Sequence, residues 1–357
     1  MRNHLWACGD GAFGQRGNCE MNSHDQVVFR RVDLNLTEKG LVGYQPRLIC
    51  SAWETSYVVL SCDEKGSDVL ISMGSNDFGD LGVGQTVRAE LYHTVAFDHL
   101  RVDGLALDLV KVISMTAGQH HIIAHVNVRL HDQSHRNLLV GWGAARHGQL
   151  GGDTSMLNKK TPYFCIPKII ETFYSDDPVI AVALGSQHSI FRHESGRLSC
   201  LGSNKKAQTT GLDMFRQVSV VGCTWNGSYF LDSGTLYATG SHSKGQLGRS
   251  LLPDSPSSSI QPHPVELPFN TKPSPDSNVF GIACGSEHVI ALRADCSPPE
   301  VWGWGWNEHG NMGLGSTMDI LMPSKLWPLE TSMRIGLPVG IWAGCGTSWI
   351  ALEEQRR

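Results

Sequence analysis

One pattern recurs along this chain: an apolar run that ends in glycine and leads into a second, glycine-rich turn. It reads LWACGDGAFGQRG (5–17), LISMGSNDFGDLGVG (70–84), LVGWGAARHGQLGG (139–152), LSCLGSNKKAQTTGL (198–212), LYATGSHSKGQLG (236–248) and VWGWGWNEHGNMGLG (301–315). A second set interleaves with it: ICSAWETSYVVL (49–60), MTAGQHHIIAH (115–125), VALGSQHSIF (182–191), VGCTWNGSYFL (221–231), IACGSEHVIAL (282–292) and WAGCGTSWIAL (342–352). With Gly9, Gly74, Gly143, Gly202, Gly240 and Gly305 taken as equivalent, the spacings are 65, 69, 59, 38 and 65 residues. Long periods of short, glycine-punctuated strands imply an array of small sheets and exclude a helical solenoid.

The second motif alternates apolar residues at period two, as in Ile282, Cys284, His288, Ile290 and Leu292, the mark of a strand with a buried face. Glu194-Ser-Gly-Arg and Asp232-Ser-Gly-Thr are hairpin turns in which glycine supplies the positive φ. The expected fold is all-β, a single propeller domain over 1–357 with six repeats. Residues 342–352 and 3–10 together would complete one repeat, so the terminal strands are expected to close the ring and remove exposed sheet edges. Two departures stand out. The 38-residue spacing leaves the Gly202 repeat short of an outer strand, and residues 253–278 hold 7 of the 16 prolines and read as a surface loop between blades.

Charge and cysteine usage narrow the function. Twenty-nine Lys and Arg against 34 Asp and Glu give a net charge of −5, which argues against broad phosphate neutralisation of a nucleic acid. Ten cysteines are spread without a CxxC pair, so no zinc ribbon or dithiol site is written. No run of about 20 apolar residues and no apolar signal core occur, so no membrane association is expected and the Asn35 and Asn226 sequons are expected to be silent.

The Cys-Gly-x-x-His strand, hairpin and Trp-Gly-x-Asn-x-x-Gly-Gln-Leu-Gly strand resemble the regulator-of-chromosome-condensation repeat. That family forms β-propellers, generally of seven blades; six repeats here leave either a six-bladed ring or a seventh blade that is degenerate or absent. Residues 303–311, 344–352, 222–226 and 52–56 (GWGWNEHGN, GCGTSWIAL, GCTWN and AWETS) are similar to a narrower fungal group, the α-tubulin-suppressor or killer-toxin-insensitivity propellers. That resemblance implies a cytoplasmic and nuclear protein without cofactor. It also implies a heterodimer with the small CSL-type zinc-ribbon protein of diphthamide synthesis, which supports Elongator-dependent wobble-uridine modification in tRNA and diphthamide formation on elongation factor two. The wider family's best-known activity, guanine-nucleotide exchange on a Ran-like GTPase, is the alternative.

The candidate contact residues are Trp53, Trp225, Trp304, Trp306, Glu308, His309 and Trp349. Trp53 and Trp225 occupy one slot of the second motif, and aromatic residues of this kind dominate binding energy at interfaces. Wedging between blades is the competing role for such rings. Glu308 and His309 follow Trp304 and Trp306 in a loop whose counterparts are Arg146-His147 and Ser243-Lys244, so exposed polar turn residues outweigh acid–base catalysis there, and with the two Trp residues the loop is a candidate contact surface. His120, His121, His188 and His288 fall at or beside the Gly-x-x-His position and are expected to hydrogen-bond backbone of the adjacent blade. No metal site is expected, because His121 and His125 lie roughly 13 Å apart along one strand. No phosphate loop, GxSxG elbow or dinucleotide turn is present, so no enzyme activity is expected.

Overall fold

The computed structural model describes residues 5–11, 13–17, 23–85, 90–151, 162–170, 176–250, 261–268, 279–294, 296–328 and 336–353. The chain divides into two compact units, residues 1–172 and 173–357. In both, each repeat is an antiparallel sheet, and the described helical structure is one 3-10 turn at Leu212–Met214.

The first unit holds three repeats. Strands β1 (Leu5–Gly11) and β2 (Ser23–Val32) pair with each other. Strands β3 (Gln45–Ser51), β4 (Thr55–Ser61), β5 (Val69–Gly74) and β6 (His93–Val95) form a sheet in chain order. Next comes a five-stranded sheet of β7 (Arg101–Val102), β8 (Leu105–Ala117), β9 (His121–Leu130), β10 (His135–Ala144) and β11 (Tyr163–Ile169). Its apolar face packs on the preceding sheet, with Tyr57, Val59 and Leu70 in one core with Ile122, Val126 and Trp142.

The second unit contributes β12 (Val179–Leu184), β13 (His188–His193) and β14 (Leu198–Gly202), a three-stranded sheet. Strands β15 (Val218–Thr224), β16 (Gly227–Asp232), β17 (Thr235–Gly240) and β18 (His263–Pro264) form the next sheet. Then follow β19 (Val279–Cys284), β20 (His288–Arg293), β21 (Glu300–Gly305) and β22 (Ile320–Trp327), and last the pair β23 (Leu337–Ala343) and β24 (Ser348–Glu353). Neighbouring sheets share cores: Leu198 with Phe230, Tyr229 with Trp304, and Ile290 with Ile341 and Ile350.

Two backbone devices recur and explain the glycine spacing. In the inner strands β3, β8, β12, β15, β19 and β23 the register slips by one residue, at Pro46/Leu48, Val112/Ser114, Val179/Ala181, Val218/Val220, Val279/Gly281 and Pro338/Gly340. Such a bulge bends the strand and raises its twist. At the end of the third strand, Gly74, Gly143, Gly202, Gly240 and Gly305 all have positive φ. The next residue's N–H reaches back to the turn before the second strand, as in Ser75 to Glu54 O (3.1 Å), Ser241 to Asn226 O (2.9 Å) and Trp306 to Glu287 O (2.9 Å). A Cβ at Gly240 would stand 2.3 Å from that Asn226 oxygen, so no other residue fits.

The short repeat is as the spacing implies, since residues 203–217 contain the 3-10 turn and no outer strand. The loop expected at 253–278 is corrected in its middle. His263 and Pro264 pair with Ala238 and Tyr237, and Val265 and Leu267 are buried in the core, because this apolar segment supplies the outer edge of the β15–β17 sheet. The remainder of 253–278 lies outside the described residues. No described helix is long and apolar enough to cross a membrane.

Candidate partner-binding surface

The turns between first and second strands form a connected series. Ser186 N–H donates to Trp225 O (2.9 Å), Trp225 N–H to Ser286 O (2.7 Å) and Ser286 N–H to Cys345 O (3.4 Å). In the first unit Trp53 N–H makes the same bond to Gln119 O (3.3 Å). Trp53 and Trp225 therefore hold equivalent positions in their repeats, fixed by backbone contacts that leave the side chain free to vary. Trp53 is 44% exposed and its indole N–H donates to Glu54 (3.1 Å). Trp225 is half-buried.

Beside Trp225 lies a polar hub. Glu287 accepts from Asn226 (2.7 Å) and from Gln246 (2.8 Å) and is half-buried. Burial pushes its carboxyl above the usual range, and the two amides oppose that rise. Sequence reasoning missed this group, because its partners sit 41 and 61 residues away.

The 306–309 loop carries a half-buried indole beside two exposed polar side chains, Glu308 and His309. Asn307 is fully buried and holds the loop from below: its amide donates to Ser316 O (2.8 Å) and Met318 O (3.0 Å), and it accepts from Met312 N–H (2.9 Å). On this base the indole N–H of Trp306 donates to the exposed Glu308 carboxylate (3.0 Å). The His309 ring stands edge-on to Trp306, with centroids 4.9 Å apart. Gly346 of the next repeat lies beneath His309, where a Cβ would approach the imidazole to 3.1 Å. Phe78, the counterpart of His309, packs on His120 of its own neighbouring sheet at 4.3 Å, so each loop seats one ring on the following repeat.

Trp304 corrects the expected set. It is 0% exposed and its indole N–H donates to Gln246 O (2.8 Å), the oxygen that also accepts from Tyr229 (2.8 Å). Gly248 packs flat on the ring, with Nε1 2.9 Å from where a Cβ would lie. Trp142 repeats the arrangement in the first unit, with Asp80 O as acceptor and Gly82 against the ring. Trp304 is thus a core residue, and it does not offer its ring to a partner. Trp349 is 51% exposed and lies directly opposite Trp342, which is 58% exposed, across the β23–β24 pair. Directly opposed antiparallel residues share one face. Trp342 was missed, although its symmetric placement about the Gly344–Thr347 turn was legible.

His188 and His288 play a structural part, bonding serine hydroxyls as well as the expected backbone. His188 Nε2 meets Ser228 Oγ of the next sheet (3.1 Å), and His288 Nε2 meets Ser348 Oγ (3.1 Å) and Thr347 O (3.3 Å). Each ring folds over the glycine three residues earlier: a Cβ on Gly185 or Gly285 would lie 2.1 Å from the imidazole. Burial lowers both pKa values to about 4, so both rings are neutral at pH 7. Among the described residues no group of three His, Cys, Asp or Glu could hold a metal ion. Burial also pushes the Cys223 and Cys284 thiols up, which keeps them from forming thiolates.

The model of the regulator of chromosome condensation (RCC1) repeat matches residues 139–192, 233–292 and 300–346. Those three segments are similar to the RCC1 repeat. Mouse secretion-regulating guanine nucleotide exchange factor is 28% identical over 95% of this chain and 70% of its own length. In structure, human WBSCR16 matches with a TM-score of 0.69 at 19% identity, over 98% of this chain and 81% of its own. Yeast RCC1 (Prp20), solved with Kap60, gives a TM-score of 0.69 at 17% identity, over 99% and 78%. These likenesses make the fold an RCC1-type propeller. The 306–309 loop and its base fall inside the third matched segment, whereas Trp53 falls outside all three.

Proposed function

We propose that this RCC1-repeat chain is a non-catalytic propeller that pairs with a small zinc-ribbon protein, the one serving diphthamide synthesis. In this reading the pair supports Elongator-dependent wobble-uridine modification in tRNA and diphthamide formation on elongation factor two, in cytoplasm and nucleus. The metal belongs to the ribbon, and this chain touches neither nucleic acid nor membrane. The observation that carries the proposal is the 306–309 loop: an indole, a carboxylate and an imidazole preset on a buried asparagine. Rings locked before binding lose little entropy at an interface. The GWGWNEHGN and GCTWN segments add the sequence resemblance.

The test is light scattering on a size-exclusion column, mixing the full chain with the metal-loaded ribbon of the same organism. A one-to-one complex is expected, weakened about tenfold or more by Trp306→Ala, a cost of roughly 1.4 kcal/mol or above. A folded ribbon that forms no complex would overturn the proposal. The second reading, exchange on a Ran-like GTPase, is favoured by the name of the mouse relative. Accelerated release of labelled GDP from such a GTPase would establish it instead.

A further inference from the structure

The outer strands β11 and β22 share a backbone irregularity but differ in what they hang on it. In both, a step of two residues along the third strand, Gly141 to Gly143 or Gly303 to Gly305, spans four residues of the outer strand, Phe164 to Lys168 or Ile320 to Ser324. The surplus residues include Pro167 and Pro323, which have no N–H to give a ladder and are tolerated at a bulge. Flanking the bulge, β11 has Phe164 and Lys168 where β22 has Ile320 and Ser324. The Lys168 ammonium stands 3.9 Å from the centre of the Phe164 ring.

Against this bulge lies the segment that leads into β7, tied down by His99, whose Nε2 donates to Pro167 O (2.6 Å). The two enclose a cavity of about 400 Å³. Its apolar walls include Leu100, Ile169 and Ile166, the last 44% exposed, and Arg101 and Lys168 also line it. Among the described residues neither cation pairs with a carboxylate. Lys168 Nζ reaches Gly151 O at 3.4 Å, and Arg101 Nη1 donates to the carbonyls of Asp98 (2.6 Å) and Leu100 (2.8 Å). Burial lowers the Lys168 pKa, and no acidic group opposes it. Asp98 and Asp103 are exposed and lie outside the lining.

Apolar walls with two cations that lack counter-charges call for a ligand with an apolar body and one negative end. The mouth is wide, since His99, Arg101 and Ile166 are exposed. Sites for free small molecules bury roughly 70–90% of the ligand, whereas the end of a longer chain can be held elsewhere as well. We infer that this cavity binds the C-terminal carboxylate of a partner polypeptide ending in an apolar residue, with Lys168 and Arg101 holding the carboxylate and Leu100 and Ile166 meeting the apolar side chain. Bonds from a cation to a carboxylate are about twice as strong as neutral ones, and capture of a terminal carboxylate is a recurring mode of peptide recognition. The inference rests on the reading of the chain as a protein-binding propeller and gives that reading a second surface.

Fluorescence anisotropy on the full chain tests it, with an N-terminally labelled Gly-Ser-Gly-Val-Leu peptide as probe and the methyl resonances of Ile166 marking the site. The peptide with a free C-terminus is expected to bind about tenfold or more tightly than the same peptide amidated there, and to shift the Ile166 methyls. Lys168→Met keeps an apolar stem on Phe164 and is expected to reduce that preference. Its combination with Arg101→Gln, at an exposed position, is expected to abolish it. An amide that binds the unaltered chain as tightly as the acid overturns the inference, as does a preference that survives the double substitution. So do binding that leaves Ile166 unshifted, hexanoate that binds as tightly as the peptide, or no binding by the acid. The ribbon complex is scored separately through Trp306, so its failure and the failure of this cavity are distinguishable.

Discussion

The short repeat and the repeat after it share an inner design and part company at their outer edges. Both end the third strand at a positive-φ glycine, Gly202 or Gly240, and both bulge the first strand. The β15–β18 repeat then turns through Gly245 and Gly248 and returns to build an outer strand. In the short repeat Ala207 and Thr210 stand at those two positions, and Ala207 holds φ +60° without glycine's freedom. The three inner strands are thus fixed by stereochemistry that tolerates little change. The outer segment is set by loop length, and in the short repeat Leu212 of the 3-10 turn packs on Leu198 where the next repeat has an outer strand.

The largest effect expected within this comparison is at the shared glycine. Gly240→Ala places a Cβ against Asn226 O at positive φ and is expected to cost about 3 kcal/mol or more, read as a lowered urea midpoint. A midpoint change below about 1 kcal/mol would show that this turn relaxes freely. Trp304→Ala should cost a similar 3–5 kcal/mol because the ring is fully buried, whereas Trp306→Ala should cost under about 1 kcal/mol and act on binding. Equal stability losses from the two would remove the distinction between core and contact tryptophan.

The buried histidines give an intermediate effect. His188 and His288 have folded pKa values lowered to about 4, so between that value and the unfolded value of 6.5 the unfolded chain binds more protons. Their contribution is complete above pH 6.5 and is lost as the pH falls towards 4, by up to roughly 3 kcal/mol per residue. Urea midpoints that do not change across this range would contradict the burial of both rings. The smallest effect sharpens the loop difference. Ala207→Gly, which restores the residue found at Gly148 and Gly245, is expected to stabilise by about 0.5–1 kcal/mol if relief of the left-handed backbone outweighs added chain entropy.

Much of this was legible in the residues themselves. The missing outer strand after Gly202, the hairpin at Glu194 and the structural histidines follow from local spacing. The hairpin and the missing strand are decided within a few residues of backbone, and the histidines by their place in the repeat. The 263–267 segment misled because proline content marks loops by composition, whereas Val265 and Leu267 are buried by a sheet distant in sequence. The candidate surface was half legible. The Trp306-Glu308-His309 loop could be read from its position in the repeat, but the Glu287 hub could not, and Trp342 was overlooked although its place opposite Trp349 is set by a local turn.

The sequence alone determined that this protein is an array of small antiparallel sheets, because glycine at positive φ and alternating strands are properties of neighbouring residues. Tertiary structure decided which tryptophans are core and which face outward. Trp304 and Trp306 are two residues apart, and what separates them is Gly248 and Gln246, supplied by the preceding repeat. Burial is a property of what packs on a side chain, and that partner is chosen by the fold.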